Sequence, residues 1–453
     1  MNMKNNMNKK NLKINKILDD VKKTIRPDIK VINDADVIVK KINELLKKYK
    51  IPAECVKGGS IAKETFLKND YDIDLFVRFI PSYKNQDIST ILEKILKELC
   101  DKLKVSLERI HGSRDYFQFH LLKEKKVVIF EIIPVILIHA QNYQDAQNIT
   151  DLSPEHVTWV KKYTSKNPRL VDDIRLAKQF CKANKVYGAE SYINGFSGHI
   201  LDILIIHYES FVNLLNAFSQ YDKDSLNKPI IIDTEKNLAN PLTQLNKSKI
   251  TPLIIIDPIQ KERNSAAALN KERLLMFIDA AKSFLSKPDK KFFIIKNFDI
   301  ETEIKNSLKE MKLKEKDINI VRIDIDTLDG SKDVVGTKVL KTYETIIEQL
   351  SLNDFRVIKS DWNFVFSDRR AEAYLFVDKK ITKEITQEGP PTKTTTDYKK
   401  FVDKHVSLGH EIIFKNNRVY AMVPRKFLDP KSFIDDLAKK DFISRRIKGL
   451  FVR

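Results

Sequence analysis

The feature that constrains the fold most is a pair of aspartates inside an apolar segment, residues 71–77. Here Asp72 and Asp74 alternate with large apolar residues in the order Tyr-Asp-Ile-Asp-Leu-Phe-Val, which is the pattern of a β-strand. The two carboxylates therefore point to the same side of the strand and repel each other. A divalent cation would compensate this repulsion, because Mg²⁺ takes carboxylate oxygens and substrate phosphates together as ligands.

A third acid lies in a second apolar segment, residues 127–133. Glu131 interrupts the run Val-Val-Ile-Phe-Glu-Ile-Ile, and an unpaired charge in such a strand is costly. We predict that this strand lies beside the first one. Asp72, Asp74 and Glu131 would then converge on one metal site.

A glycine turn precedes the aspartates. Gly58, Gly59 and Ser60 lie between a predicted short strand, residues 54–56, and a predicted helix that begins at Ile61. Glycine lets the backbone approach a ligand closely, and the free N–H groups at the start of a helix bind phosphate. Either motif alone is weak. A strand, this turn, a helix and the aspartate strand in that order predict a triphosphate site beside a metal site, and therefore catalysis.

The two motifs together resemble the signature of the DNA polymerase β-like nucleotidyltransferase superfamily. Residues 59–67 and 72–77 resemble the archaeal CCA-adding enzymes in particular. Further matches follow in the same order along the chain: residues 131–134, 153–156 with Trp159, Lys178, residues 182–184, 187–190, 195–198, and 257–258 with Arg263 and Asn264. The resemblance is clear over about residues 30–285 and faint after them.

This resemblance implies an enzyme that adds C, C and A to the 3′ end of tRNA from CTP and ATP, without a nucleic-acid template and with release of pyrophosphate. It implies two Mg²⁺ ions that activate the tRNA 3′-hydroxyl and stabilise the leaving pyrophosphate. Asp72, Asp74 and Glu131 would hold these ions. The nucleotide site implied by the resemblance consists of Gly59, Ser60 and Lys63 at the triphosphate, His156, Lys178 and Tyr187 at the phosphates and sugar, and Arg263 at the base.

Two residues depart from the family pattern. Asn69 stands where the family usually has glycine, and because asparagine tolerates left-handed backbone geometry we expect a turn there. Glu131 stands where aspartate is commoner, and its side chain is one methylene longer.

Several residues of the implied nucleotide site also have ordinary explanations. A lone His156 is more often a helix-capping or surface histidine, Tyr187 beside a glycine can pack a turn, and Arg263 lies among other charges. Lys178 shares a predicted helix face with apolar residues. It also belongs to a line of basic residues along that helix, Arg175, Lys178 and Lys182, which is typical of a solvated stripe. Two other classes of protein stay open as well: a poly(A) polymerase or oligoadenylate synthetase, and a non-catalytic RNA-binding protein on the same fold.

The charge balance indicates a polyanionic partner. Lys and Arg total 81 against 62 Asp and Glu, a net charge of +19, whereas solubility alone is usually served by charges of mixed sign. Nucleic acid is favoured over a membrane, because the most apolar run, residues 127–138, contains Glu131 and Pro134 and is too short to span a bilayer. Basic C-terminal segments would then hold the tRNA acceptor region: residues 379–383, 399–404 and 444–446.

We predict an α+β, multidomain chain. Its parts would be a catalytic head domain with a palm-like mixed sheet and helices at residues 1–150, a mainly helical nucleotide-recognition neck at 151–287, a small α/β body at 288–350, and an RNA-binding tail at 351–453 whose return to the body is left open. The three widely spaced cysteines, Cys55, Cys100 and Cys181, fit a reducing cytoplasm. A homodimer is left open as a further partnership.

Overall fold

The chain forms two compact units, residues 1–296 and 297–453. The computed structural model describes residues 2–123, 126–393 and 395–453. The helices of the first unit are α1 (Asn2–Ile25), α2 (Lys30–Lys48), α3 (Gly59–Ala62), α4 (Ile88–Leu103), α5 (Ser153–Thr164), α6 (Arg169–Ala183), α7 (Gly198–Tyr208), α8 (Phe211–Phe218), α9 (Pro241–Gln244) and α10 (Lys271–Ser286). Its strands are β1 (Ala53–Lys57), β2 (Ile73–Phe79), β3 (Glu108–Ile110), β4 (Tyr116–Lys123), β5 (Lys126–Ile136), β6 (Ile230–Ile232) and β7 (Leu253–Ile255).

The sheet that carries the acids has the strand order β1-β2-β5-β4-β3. β2 and β5 run parallel, and the other neighbouring pairs are antiparallel. Along β2, Ile73, Leu75 and Val77 are fully buried in one core with residues of α2 and α4. Asp74 lies on the opposite face of the strand, because side chains alternate. One face of the sheet is thus a covered core, and the other carries polar residues.

The helix α4 illustrates how local sequence determines this head. Leu92, Ile95 and Leu99 recur at helical spacing and are buried, so the helix has one apolar face that packs into the core of the head. Its first turn is capped by Asp87, whose side chain accepts a hydrogen bond from the Thr90 N–H at 3.0 Å. The spacing of these apolar residues predicts a helix over residues 88–103, and the observed helix, Ile88–Leu103, has those bounds.

Helices dominate the rest of the first unit. Residues of α5, α6, α7, α8 and α10 share one apolar core, and α1 joins it through buried residues at helical spacing, including Ile14, Leu18 and Val21. None of the described helices is long and apolar enough to cross a membrane alone; α7 and α8 reach that length and composition only as a pair bent by 93°. The packing of α1 with the central helices is a feature that the sequence did not predict, and the four-part domain division stays a prediction.

The second unit is built on two antiparallel sheets. Its helices are α11 (Ile300–Met311), α12 (Lys332–Leu352), α13 (Thr395–Ser407), α14 (Pro430–Ala438) and α15 (Asp441–Ser444), and its strands are β8 (Ile318–Thr327), β9 (Val357–Val365), β10 (Arg370–Asp378), β11 (Glu384–Pro391), β12 (Glu411–Lys415), β13 (Arg418–Pro424) and β14 (Ile447–Val452). One sheet has the order β14-β8-β10-β9, and the other has the order β11-β13-β12. The last strand of the chain therefore pairs with the first strand of this unit.

Three local predictions differ from the structure. The helix expected from Ile61 is a single turn, α3, because Glu64 adopts a left-handed conformation with φ of +60°. The strand expected from residue 71 begins at Ile73, so Asp72 lies just before it. The sequence of the C-terminal region predicts strands that alternate with basic loops, but residues 399–404 lie within the helix α13. The turn expected at Asn69 is confirmed, since its φ is +62°.

Candidate active site

The acids of β2 and β5 face each other across the parallel strand pair. Asp74 and Glu131 are direct partners in the register of β2 and β5. Neighbouring residues in register project from the same face of a sheet. The sequence-based expectation that the Glu131 strand lies beside the aspartate strand is therefore confirmed.

Like charge and burial make these carboxylates costly to ionise. Burial raises the pKa of Asp74, and the neighbouring charge of Asp72 raises it further. Burial likewise raises the pKa of Glu131, and the charges of Asp74 and Asp72 add to the effect. Asp72 itself is exposed. Oxygen donors that repel one another in this way fit a hard divalent cation, which would keep all three ionised.

Gly59 lies directly against the Asp74 carboxylate. Its φ is +48°, and a Cβ atom built on it would fall 1.7 Å from Asp74 Oδ2. The preceding Gly58 N–H donates a hydrogen bond to the Asp74 carbonyl at 2.8 Å, so the turn is fastened to β2. A side chain at position 59 would occupy the space that a ligand of Asp74 needs.

Two residues of β4 that adjoin the acids were not predicted from the sequence. Gln118 of β4 is the register partner of Glu131, and its Nε2 donates to Glu131 Oε1 at 2.5 Å. Tyr116 lines the same cavity as Asp74 and Glu131. Burial, followed by the charges of Glu131, Asp72 and Asp74, raises its pKa to about 12. The alternation of residues 116–122 puts Tyr116 and Gln118 on one strand face, but only the strand order shows that this face adjoins Glu131.

A cavity of about 400 Å³ opens onto the acids. The sequence-predicted residues that line it are Gly59, Lys63, Asp74, Glu131 and His156. Arg114, Tyr116 and His199 also line it, and they were not predicted. The Arg114 guanidinium is held by the buried Asp151 carboxylate, with 3.1 Å between Nη2 and Oδ2. Ser60 lies in the adjoining turn α3 and is half-buried.

Lys178 and Tyr187 are not among the described residues that line this cavity. Lys178 is 4% exposed, and its Nζ donates to the Thr65 carbonyl at 3.1 Å and to the Thr65 hydroxyl at 3.0 Å. Burial lowers its pKa to about 8. Tyr187 lies under Lys182, whose Nζ is 4.6 Å from the centre of the tyrosine ring.

The basic line on α6 is not a solvated stripe. Arg175 donates to the Glu64 carbonyl, and Lys182 pairs with Asp70 at 2.6 Å. Together with Lys178 they hold the segment between α3 and β2 against α6. The interpretation of this line as an ordinary solvated face is therefore wrong, because Arg175 and Lys178 are both buried.

His156 and Arg263 meet at one buried carboxylate, that of Asp257. His156 Nε2 lies 2.8 Å from Asp257 Oδ1, and Arg263 Nη1 donates to Asp257 Oδ2 at 2.9 Å. His199 Nε2 lies 3.3 Å from the same Oδ2. Burial would raise the pKa of Asp257, but the hydrogen bonds from His156 and His199 hold it far below its ordinary range. Arg263 also lines a second cavity, of about 600 Å³, with Tyr143 and Glu262.

The two histidines and Asp257 are close enough to form a metal-binding group. The Arg263 guanidinium on the same carboxylate opposes a further cation there. The Ile259 and Gln260 N–H groups and the Ser265 hydroxyl also donate to Asp257, each at 3.0 Å. The arrangement is therefore a hydrogen-bonded hub that positions side chains around the cavity, distinct from the site of the three acids.

A mixed sheet that carries Asp74 and Glu131, with Asp72 just before β2 and a glycine turn beside them, defines the class of this protein as a nucleotidyltransferase. The nucleotidyltransferase domain family matches residues 38–134, the second domain of tRNA nucleotidyltransferases matches residues 172–294, and the C-terminal domain of CCA-adding enzymes matches residues 318–446. The chain is 33% identical over 373 residues to the CCA-adding enzyme of Nanoarchaeum equitans, covering 82% of this chain and 83% of that protein. The chain belongs to the CCA-adding enzyme family.

A second relative extends the match over nearly the whole chain. The CCA-adding enzyme of Methanocaldococcus jannaschii is 27% identical over 451 residues, with 97% of this chain and 93% of that protein covered. Among solved structures, the Cid1 poly(U) polymerase with Mg and 3′-dATP bound is 13% identical, with a TM-score of 0.49 over 62% of this chain and 98% of that chain. The family matches confirm the predicted family, and the helices and sheets of the two units confirm the α+β multidomain fold. Enzymes of the nucleotidyltransferase class generally use divalent metal ions.

Proposed function

We propose that this chain adds C, C and A to the 3′ end of tRNA, with CTP and ATP as substrates and pyrophosphate as the leaving product. The observation that carries this proposal is the pairing of Asp74 with Glu131 on adjacent strands, with Gly59 against the Asp74 carboxylate. Membership of the CCA-adding enzyme family supplies the reaction. Selection of C or A without a template would rest on the protein and the tRNA end together.

We assign Asp72, Asp74 and Glu131 as the ligands of two Mg²⁺ ions. When bound, the ions would supply a charge that lowers the pKa of the tRNA 3′-hydroxyl and stabilises the departing pyrophosphate. The chain's own residues prepare the site. Gln118 fixes one Glu131 oxygen through its hydrogen bond, and Gly59 leaves the space beside Asp74 open. Glu131 would also accept the proton that leaves the attacking hydroxyl.

The nucleotide would lie along the cavity wall. Gly59, Ser60 and Lys63 would hold the triphosphate, with His156 near the phosphates. Lys178 is buried and Tyr187 is half-buried, and we assign them a role in supporting the phosphate and sugar site from behind. Arg263, fixed by Asp257, is the candidate for base recognition.

The tRNA would be held through its backbone charge and shape. The exposed basic side chains of the second unit support this, including those at Lys379, Lys380, Lys399, Lys400 and Arg445. A cytoplasmic location and a homodimer stay predictions.

The test of the proposal is nucleotide incorporation into tRNA that lacks its 3′-terminal CCA. With CTP and ATP we expect addition of two C residues and then one A, with no further extension, and with ATP alone we expect no extension of the same tRNA. Unlimited incorporation of A would instead identify a poly(A) polymerase, and the absence of Mg²⁺-dependent incorporation would identify a non-catalytic RNA-binding protein.

A further inference from the structure

A buried aspartate behind the cavity has no role in the proposed chemistry. Asp202 lies on α7 and is 0% exposed. Its Oδ2 is 2.5 Å from Lys63 Nζ, and its Oδ1 has no hydrogen-bond partner among the described residues. Burying a carboxylate with one cation and one unsatisfied oxygen is costly. Such a cost calls for a functional reason.

The surroundings of Asp202 hold further cations. Gly198 lies one turn earlier on the same face of α7, and a Cβ atom there would be 3.2 Å from Tyr187 Oη and 3.6 Å from Lys178 Cε. Lys178 is anchored on Thr65. Asp202 thus faces a buried group that contains two lysines, of which Lys63 reaches the cavity.

Lys63 is close to the acids as well as to Asp202. It lines the same cavity as Asp74 and Glu131. Burial and the charge of Asp72 raise the pKa of Asp74, and the charge of Lys63 opposes them. A lysine side chain carries a compact charge on a flexible chain of four methylene groups. A Lys63 ammonium released from Asp202 would therefore be free to pair with the acids in place of a metal ion.

We propose that Asp202 is a positioning residue that keeps the Lys63 ammonium away from the metal-binding acids and at the cavity wall where the triphosphate binds. The Asp202 carboxylate holds the Lys63 ammonium, so that the acids stay available to the metal. The Lys63 charge stays available to the nucleotide. This inference rests on the proposed function, since it takes the acids as metal ligands and Lys63 as a triphosphate contact.

The direct readout is metal binding to the nucleotide-free protein, measured by Mn²⁺ titration followed by electron paramagnetic resonance. We expect Asp202→Asn to weaken Mn²⁺ binding about ten-fold, because the freed lysine competes for the acids. Adding Lys63→Met to this variant should restore Mn²⁺ binding to within about two-fold of the wild type, because the competing charge is gone.

A matched control separates position from overall charge. Asp202→Asn combined with Lys182→Met has the same net charge as the Lys63→Met combination, but Lys182 pairs with Asp70. We expect this second combination to stay as weak as Asp202→Asn alone. Equal rescue by Lys182→Met, or unchanged Mn²⁺ binding in Asp202→Asn, would overturn the proposal.

The same variants keep the inference distinguishable from the proposed function. Lys63→Met alone should raise the KM for CTP and for ATP about ten-fold. An unchanged KM would contradict the contact of Lys63 with the triphosphate, but it would not alter the conclusion drawn from Mn²⁺ binding. If Asp202→Asn does not fold, the Asp202→Asn/Lys63→Met protein carries the test, since it removes the lysine that pairs with Asp202 together with the carboxylate. Weak Mn²⁺ binding in that protein would also overturn the proposal.

Discussion

Gly59 matters to the site because it has no side chain. Its φ of +48° is a left-handed conformation that glycine adopts freely. A Cβ atom on residue 59 would overlap the carboxylate of Asp74, so that a larger residue does not fit there. The register of β2 and β5 then brings Glu131 to the same place. A glycine and two acids, far apart in the sequence, together make room for a ligand.

Replacing Gly59 with alanine should therefore abolish nucleotide addition. We expect a loss of about 100-fold or more in kcat/KM for CTP, because the Asp74 carboxylate must move to admit the methyl group. Gly409→Ala is the matched control. Gly409 also has a positive φ, +74°, but no atom lies within 4 Å of a Cβ built there. It should cost about 1 kcal/mol of stability and leave kcat/KM unchanged; equal losses in the two variants would contradict the clash.

The sequence predicts part of this residue-scale geometry. Alternating side chains placed Asp74 and Glu131 on polar strand faces, and the glycine turn indicated a ligand nearby. Gln118 and His199 could not be predicted, because their contacts depend on strand order and on helix packing. Asp202 also escaped prediction, since an aspartate within an apolar helix gives no local sign of its partner.

At the level of secondary structure, the site depends on helices whose polar side chains bind neighbouring loops. The basic line of α6 holds the segment between α3 and β2. The Asp257 hub ties α5 and α7 to the chain after β7 through His156 and His199. The sequence predicted these helices from their periodicity, but not which polar residue each would present inward. Burial of a charged residue is decided by the partner that packs against it.

The hub predicts a dependence of stability on pH. Burial, followed by the charge of His156, lowers the pKa of His199 from 6.5 to about 4. The unfolded chain therefore takes up a proton at a higher pH than the folded one. This contribution to stability is complete above about pH 6.5 and is lost as the pH falls toward 4. At pH 5 the loss amounts to about 2 kcal/mol.

Thermal and urea unfolding at pH 7.5 and pH 5.0 would measure this effect. Because glutamine does not titrate, we expect acidification to destabilise His199→Gln by about 2 kcal/mol less than it destabilises the wild type. His111→Gln is the control, since the His111 side chain is exposed, and it should follow the wild type. An identical response to pH in all three proteins would contradict the burial of His199 as a neutral ring.

At the scale of the whole molecule, the acids lie in the first unit, and exposed basic segments lie in the second. The sequence resemblance was faint in the second unit, where β11, α13 and β14 were not predicted. Short strands and helices in a lysine-rich region carry weak periodicity. A cut near residue 345 would separate β8 from β9, β10 and β14 of its sheet, so the boundary near residue 296 is the better place to divide the chain.

Removal of residues 297–453 should weaken tRNA binding more than nucleotide binding. We expect the tRNA affinity of residues 1–296 to fall and to depend less on salt. The plot of the logarithm of the tRNA association constant against the logarithm of the salt concentration has a negative slope. The magnitude of this slope should decrease by about 0.7–0.9 for each tRNA phosphate that a basic side chain no longer neutralises. Filter binding of tRNA at several salt concentrations, with CTP binding as the control, measures both. Unchanged tRNA affinity would show that the second unit is not the main tRNA-binding surface.

The most direct test of the account is replacement of the paired acids by their amides. Asp74→Asn and Glu131→Gln keep the shape of the site and remove the charges that hold the metal. We predict that each lowers nucleotide addition to tRNA about 1,000-fold or more while tRNA affinity stays within about two-fold of the wild type, and that the surface variant Asp36→Asn changes neither. Addition that persists in either amide variant would contradict the claim that these two strands carry the catalytic metal site.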